Sequence, residues 1–387
     1  MNTGKTNKIV LFKWQNEALK NWIENHGQGI IESPTGAGKT YLGLKLMEKG
    51  SLFPFLVITP TIELKEQWKH RIQKFYPNVT IRGIGGGEKY NPNSTLDSYN
   101  KVATIAVINS MRDQKFSCKT VILDEVHHYS LLAPENYKIW KNISYNYVMG
   151  LSATPVPERL ARIGGTWSIP LVYRYTLRQA YEDGILLRPE IILKRANLTK
   201  REQERYDALT ERMKGNTKSF VDFNDAPGWF KVCTSERNEI LFNSKMKLRI
   251  LRDILTANEF KKSIIFTERI DSFSDIMNEL RDLNFECLSI HSGMGKRERR
   301  EVVSRFINTT FPVILINAHI FEEGLDVPQV DLLILYSYNS TRRENLQRIG
   351  RALHNRETTP KIFILYYQNT KEARVAKKIR KIFESFE

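Results

Sequence analysis

Short, nearly unbroken apolar runs punctuate the chain at 30–32, 55–59, 79–82, 104–109, 121–123 and 147–151, and again at 263–266, 287–291, 313–317, 332–336 and 361–366. A run without apolar–polar alternation is what a strand needs when both faces of its sheet are covered, as in a parallel sheet. Several of the connecting segments carry helical spacing, as in Thr40–Met47. This repeated strand–helix alternation predicts two α/β halves, 1–175 and 249–387. From 176 to 248 the pattern changes to helical, charged segments such as Leu198–Tyr206, read as a linker or insertion. A length of 387 residues exceeds the usual single domain and agrees with two cores.

One strand end carries chemistry. Gly29-Ile30-Ile31 runs into Ser33-Pro34-Thr35-Gly36-Ala37-Gly38-Lys39-Thr40, which opens a helix. Glycines let backbone N–H groups wrap phosphates, the helix start adds positive potential, and Lys39 reaches the β/γ-phosphates while the Thr40 hydroxyl ligates Mg²⁺. A chance glycine-rich turn is the alternative. Ser33 stands where the common pattern has its first glycine, so partner motifs decide.

The strongest partner is Val121-Ile122-Leu123-Asp124-Glu125-Val126-His127-His128. Its two carboxylates fall at the carboxyl end of a buried strand, where open α/β sheets place ligands. Asp124 is suited to hold Mg²⁺ and Glu125 to polarise the water that attacks a γ-phosphate, which implies ATP hydrolysis. A zinc site from Asp124, Glu125, His127 and His128 is the rival reading. Against it, adjacent strand residues point to opposite faces, and Cys118 lies at the other end of the strand. The second half has no such loop of its own, because Gly293-Met294-Gly295-Lys296 is followed by Arg297 and lacks the metal-binding hydroxyl.

Net charge sharpens the picture. A formal +16 suggests a polyanionic partner, since clustered Lys and Arg gain affinity by releasing counterions from phosphates, although excess charge can serve solubility alone. Three widely spaced cysteines form neither a disulfide framework nor a Cys-x-x-Cys site. With no secretion signal and no apolar stretch long enough for a bilayer, the expectation is a soluble, intracellular protein without membrane contact.

Asp124-Glu125-Val126-His127 is a DExH box, and with the phosphate loop it resembles the ATPase core of superfamily 2 helicases. Other motifs follow in the family's order. Gln15 resembles the adenine-reading glutamine; Val57-Ile58-Thr59-Pro60-Thr61, Gly85-Gly86-Gly87 and Asn109-Ser110 resemble strand-contacting loops; Ser152-Ala153-Thr154 resembles the motif linking hydrolysis to domain movement. Ile264 to Glu268, His291-Ser292-Gly293, Asn317 to Pro328 and Gln347-Arg348-Ile349-Gly350-Arg351 resemble the remaining ones. Tyr175 to Ile185 and the glycine loop look most like the XPB and type III restriction-helicase branch.

The resemblance implies two RecA-like parallel-sheet domains in tandem, with ATP and Mg²⁺ in the cleft between them. It assigns catalysis to Lys39, Asp124, Glu125, Gln347 and Arg351, and nucleotide binding to Gln15, Pro34, Thr35, Gly36, Ala37, Gly38, Lys39, Thr40, Gly324, Asp326, Arg348 and His354. Metal goes to Thr40 and Asp124, and nucleic acid to Pro60, Thr61, Gly86, Asn109, Ser110, Thr267, His291 and Asn317. The implied partner is nucleic acid, DNA ahead of RNA, gripped through its backbone, with 3′-to-5′ stepping driven by ATP hydrolysis. An ATP-gated duplex clamp and an RNA helicase are the alternatives. The 176–248 segment reads either as a solvated helical face or as a thumb leaning on nucleic acid, with Trp229 and Phe230 either packed on their own domain or stacking bases. Three positions depart from the family pattern: Phe12 for an arginine before Gln15, Asn317 for a threonine, and His354 for the second arginine finger.

Overall fold

The computed structural model describes residues 8–89, 101–111, 114–126, 139, 141–153, 169–214, 226–318, 330–338 and 359–384. These divide into two compact units between Leu186 and Leu187.

The first unit is built on a parallel sheet. Its strands are β1 (Gln28–Glu32), β2 (Phe55–Thr59), β3 (Thr80–Ile84), β4 (Val102–Val107), β6 (Thr120–Leu123), β8 (Tyr147–Ser152) and β9 (Leu171–Arg174), in the order β3-β4-β2-β6-β8-β1-β9. The two-residue strands β5 (Phe116–Ser117) and β7 (Ile143–Ser144) pair separately. Leu56, Val57, Ile58, Val121, Ile122 and Leu123 are all buried without residual exposure, so the central strands are covered on both faces. Helices α1 (Lys13–Glu24), α2 (Thr40–Leu46) and α3 (Ile62–Phe75) belong to this unit, as does the short α4 (Leu177–Glu182). Strand order reverses around β2, β6, β8 and β1, so the carboxyl ends of these strands form the switch region where such sheets carry their sites.

The second unit holds β10 (Glu190–Ala196), β11 (Lys262–Phe266), β12 (Glu286–His291), β13 (Val313–Ala318), β14 (Leu332–Leu335) and β15 (Lys361–Tyr367), all parallel, ordered β10-β15-β14-β11-β13-β12. Its helices are α5 (Lys200–Met213), α6 (Gly228–Asn243), α7 (Met246–Ala257), α8 (Ser272–Asp282), α9 (Lys296–Asn308) and α10 (Lys371–Glu384).

The 176–248 segment differs from a free-standing helical linker. Residues 190–196 form the edge strand β10, paired with β15 along its whole length. Tyr206, Leu209, Phe230, Cys233 and Leu241 of α5 and α6 pack in one cluster with Tyr367 of β15. Phe230 is buried there and Trp229 packs against the same cluster, so this aromatic pair sits on its own domain. The strand escapes a sequence reading because Glu190-Ile191-Ile192-Leu193-Lys194-Arg195-Ala196 is an edge with charges outward, neither an apolar run nor a clean alternation.

Candidate functional site

Strand β1 leads into the loop 33–39, and α2 begins at Thr40. Gly38 has a left-handed φ of 94°, and its carbonyl accepts from Gln15 Nε2 at 3.0 Å. Gln15 Oε1 accepts from the Phe12 N–H at 2.8 Å, so this nearly enclosed amide ties the start of α1 to the loop. Ser33 is fully enclosed, its N–H donates to the Ser152 carbonyl at 3.0 Å, and its hydroxyl has no protein partner among the described residues.

The acidic pair closes this loop from the next strand but one. Glu125 takes a left-handed φ of 51°, a conformation that costs a non-glycine residue roughly 1–2 kcal/mol. It turns the carboxylate back toward the loop, where Oε1 lies 3.3 Å from Lys39 Nζ and Oε2 accepts from the Ala153 N–H at 3.4 Å. One carboxylate thus touches the phosphate-loop lysine and the 152–153 segment. Asp124 is buried, and Trp68 Nε1 donates to its Oδ2 at 2.7 Å. Burial first, then the charge of Glu125, push its carboxyl up to about 6, against the opposing pull of Trp68, Lys39 and Arg71. Thr40 Oγ1 accepts from Arg71 Nη1 at 2.8 Å. No cluster of His, Cys, Asp and Glu fit for zinc occurs among the described residues.

A second group gathers on the same unit. Thr61 caps α3, its hydroxyl accepting from the Leu64 N–H at 3.3 Å. A Cβ on Gly85, whose φ is 90°, would come within 2.5 Å of Ser110 Oγ, and one on Gly86 within 3.1 Å of Ile62. Three loops far apart in sequence therefore meet, bringing Pro60, Thr61, Gly86 and Ser110 together with Asn109, which is exposed. Lys65, 1% exposed, locks the arrangement by donating to the Gly85 carbonyl at 2.7 Å and pairing with Glu88 at 3.3 Å. Burial raises the Glu88 carboxyl, but Lys69 and Lys65 outweigh it and leave its pKa below the ordinary value.

The architecture agrees with that of the relatives found by comparison. Residues 8–157 match the type III restriction enzyme, res subunit, and residues 246–356 the helicase conserved C-terminal domain. The DNA 3'-5' translocase XPB2 of Sulfurisphaera tokodaii is 30% identical over 396 residues, covering 96% of this chain and 85% of that protein. The chain belongs to the XPB and type III restriction-helicase branch of superfamily 2. This helicase is also 31% identical over 166 residues to the putative ATP-dependent RNA helicase QP509L of African swine fever virus, spanning 40% of this chain and 31% of that one. Among solved structures, S. cerevisiae Dbp5 bound to RNA and ADP BeF3 superposes with a TM-score of 0.62 at 16% identity, covering 97% of this chain and 88% of that chain, a likeness of fold. The motif resemblance is borne out: the protein is an ATP-dependent helicase with tandem RecA-like folds, acting on nucleic acid.

Of the helicase's expected residues in the second unit, Thr267 and Asn317 are fully buried at adjacent strand ends, linked by Thr267 N–H to the Asn317 carbonyl at 3.0 Å. The Thr267 hydroxyl lies 2.9 Å from that of Ser337, so it braces β11 against β14 and faces no solvent. His291 is half-buried against Phe273. Gly324, Asp326, Gln347, Arg348, Arg351 and His354 lie outside the described residues, as do His127, His128 and Thr154. No described helix is long and apolar enough to cross a membrane. Sequence reasoning missed Trp68 and Arg71 as candidate site residues; their signal was an aromatic and a cation spaced by three along the helix after Thr61.

Proposed function

We propose that this helicase is a Mg²⁺- and ATP-dependent DNA translocase of 3′-to-5′ polarity that grips a strand by its backbone. The observation that carries the chemistry is the Glu125 carboxylate held 3.3 Å from Lys39 and bonded to Ala153, in a site whose donors suit a nucleoside triphosphate. DNA and polarity are supported by the near full-length similarity to a DNA 3'-5' translocase.

In this reading Gln15 reads the base, and the 34–38 loop N–H groups and Lys39 hold phosphates. Thr40 and Asp124 fit a hard cation: a hydroxyl and a buried carboxylate are oxygen donors, and Mg²⁺ there would neutralise phosphate charge. Glu125 takes a proton from the attacking water, Lys39 and Ala153 N–H keep it oriented, and the Ala153 bond transmits the state of that carboxylate to β8. Pro60, Thr61, Gly86, Asn109 and Ser110 offer hydroxyls, an amide and backbone N–H groups, which suit phosphates more than base edges.

ATPase stimulation by matched DNA and RNA strands, with displacement of a roadblock from either end, tests the assignment. Stimulation by RNA alone, or clearance from the opposite end, overturns it; stimulation without any movement favours a clamp. Log affinity for single strands is expected to fall linearly with log salt, with little dependence on sequence, and a flat response counts against backbone tracking. Because protons and metal compete for Asp124, the Mg²⁺ requirement for nucleotide binding is expected to be level above about pH 7. Below the Asp124 value of about 6 it rises by about tenfold per pH unit. Trp68→Phe, which removes a stabiliser of the charged form, shifts that rise to higher pH; nucleotide titrations across this range check both.

A further inference from the structure

One face of α3 carries Lys65, Trp68 and Arg71 in successive turns, and each ends on a different loop of the first unit. Lys65 reaches the Gly85 carbonyl, Trp68 the Asp124 carboxylate and Arg71 the Thr40 hydroxyl, at 2.7, 2.7 and 2.8 Å. Spacings of three put all three side chains on one side of the helix. Thr61 caps its start beside the glycine loop, and Tyr76, just past its end, donates to the Leu44 carbonyl at 2.8 Å. From Thr61 to Arg71 is about 15 Å of helix, so one rigid element joins the phosphate-binding loops to the nucleotide loop.

Arg71 differs from the other two in what it holds. Its guanidinium bonds Thr40 Oγ1 and lies close enough to Asp124 for its charge to oppose the upward push of burial on that carboxyl. A divalent cation at Thr40 and Asp124 makes a claim on the same hydroxyl oxygen, and two cations around one atom repel where water is scarce. Trp68 has no such conflict, because a neutral indole N–H stabilises the Asp124 carboxylate beside a metal as well as without one.

We propose that Arg71 is a positioning residue that competes with Mg²⁺ for Thr40 Oγ1, so that metal–nucleotide binding frees one of the three ties of α3 and is felt at the Thr61–Gly85 end. The proposal rests on the reading of Thr40 and Asp124 as metal ligands. Linkage makes the effect reciprocal: a strand held at the Thr61 end changes metal–nucleotide affinity by the same factor that metal–nucleotide changes strand affinity.

The test uses the full chain, a fluorescent non-hydrolysable ATP analogue titrated with Mg²⁺, and an oligonucleotide whose affinity is measured with and without that analogue. Arg71→Gln, which keeps a donor and removes the charge, is expected to lower the half-saturating Mg²⁺ by about five- to tenfold and to bring the two strand affinities together. Arg71→Lys keeps the charge and is expected to stay within about twofold of the parent in both. Weaker analogue binding by Arg71→Gln at every Mg²⁺ concentration makes Arg71 a phosphate ligand and overturns the proposal. So does an Arg71→Gln variant that matches the parent, or an Arg71→Lys variant that behaves like Arg71→Gln. A parent protein whose analogue binding ignores Mg²⁺ overturns the metal reading itself, and is told apart by failing before any variant is compared.

Discussion

Glu125→Gln is expected to reduce ATP hydrolysis by roughly 10²–10⁴-fold while leaving nucleotide bound, because in the proposed mechanism it removes the proton-accepting oxygen and little else. The amide keeps the shape of the carboxylate, its oxygen still accepts from the Ala153 N–H, and Lys39 loses only an ion-pair partner at 3.3 Å. In the proposed mechanism Lys39→Ala takes away the cation that meets the phosphates and also strands Glu125, so binding and hydrolysis are expected to fall together. In saturating ATP the Gln variant is therefore expected to hold a single strand at least as tightly as the parent, and the Ala variant to hold it as the nucleotide-free protein does. Equilibrium strand binding with and without ATP, beside single-turnover hydrolysis, separates the two. Equal loss of ATP-dependent strand affinity in both variants sinks the division of roles.

The largest effect on stability is expected in the second unit, at Lys247. Its ammonium is 1% exposed, bonds the Tyr336 carbonyl at 2.8 Å and Glu372 at 2.9 Å, and lies 4.6 Å from the ring centroid of Tyr367. Glu372, 2% exposed, in turn accepts from the Tyr367 N–H at 2.9 Å. Removing one member of a buried pair leaves the other as an uncompensated charge, which typically costs about 3–5 kcal/mol. Lys247→Met or Glu372→Leu alone should each lose stability on that scale, while the double variant recovers most of the loss. Hydrogen exchange at the amides of β14 and β15 localises the effect. Undiminished protection in either single variant shows that the pair does not hold these strands. The same site reaches the 267–268 segment, since Ser337, next to Tyr336, bonds the Thr267 hydroxyl at 2.9 Å and the Glu268 N–H at 2.8 Å.

Much of this was legible in the residues themselves. The buried central strands appeared within two residues of their observed ends, because a strand covered on both faces admits only apolar side chains and marks itself. Residues 171–174 and 190–196 did not, since β9 and β10 are edge strands with mixed polarity, and the pair β5 and β7 is too short to show any pattern. The phosphate loop and the acidic pair were readable for a similar reason: each is a contiguous string whose chemistry depends on neighbours in the chain.

What the sequence by itself determined was therefore the central elements, the family and the candidate reacting groups, all of them carried by local order and spacing. Only the tertiary structure decided which groups meet. Lys65, Trp68 and Arg71 advertise a helix face through a period near 3.6, but their partners lie 20, 56 and 31 residues away. Periodicity says which side of a helix is buried, whereas the partner there is set by the order of β3, β2, β6 and β1 in the sheet, a long-range property. The strained turn at Glu125 belongs to the same class, because its side chain finds its partners in Lys39 and Ala153, which the parallel pairing of β6, β8 and β1 brings alongside.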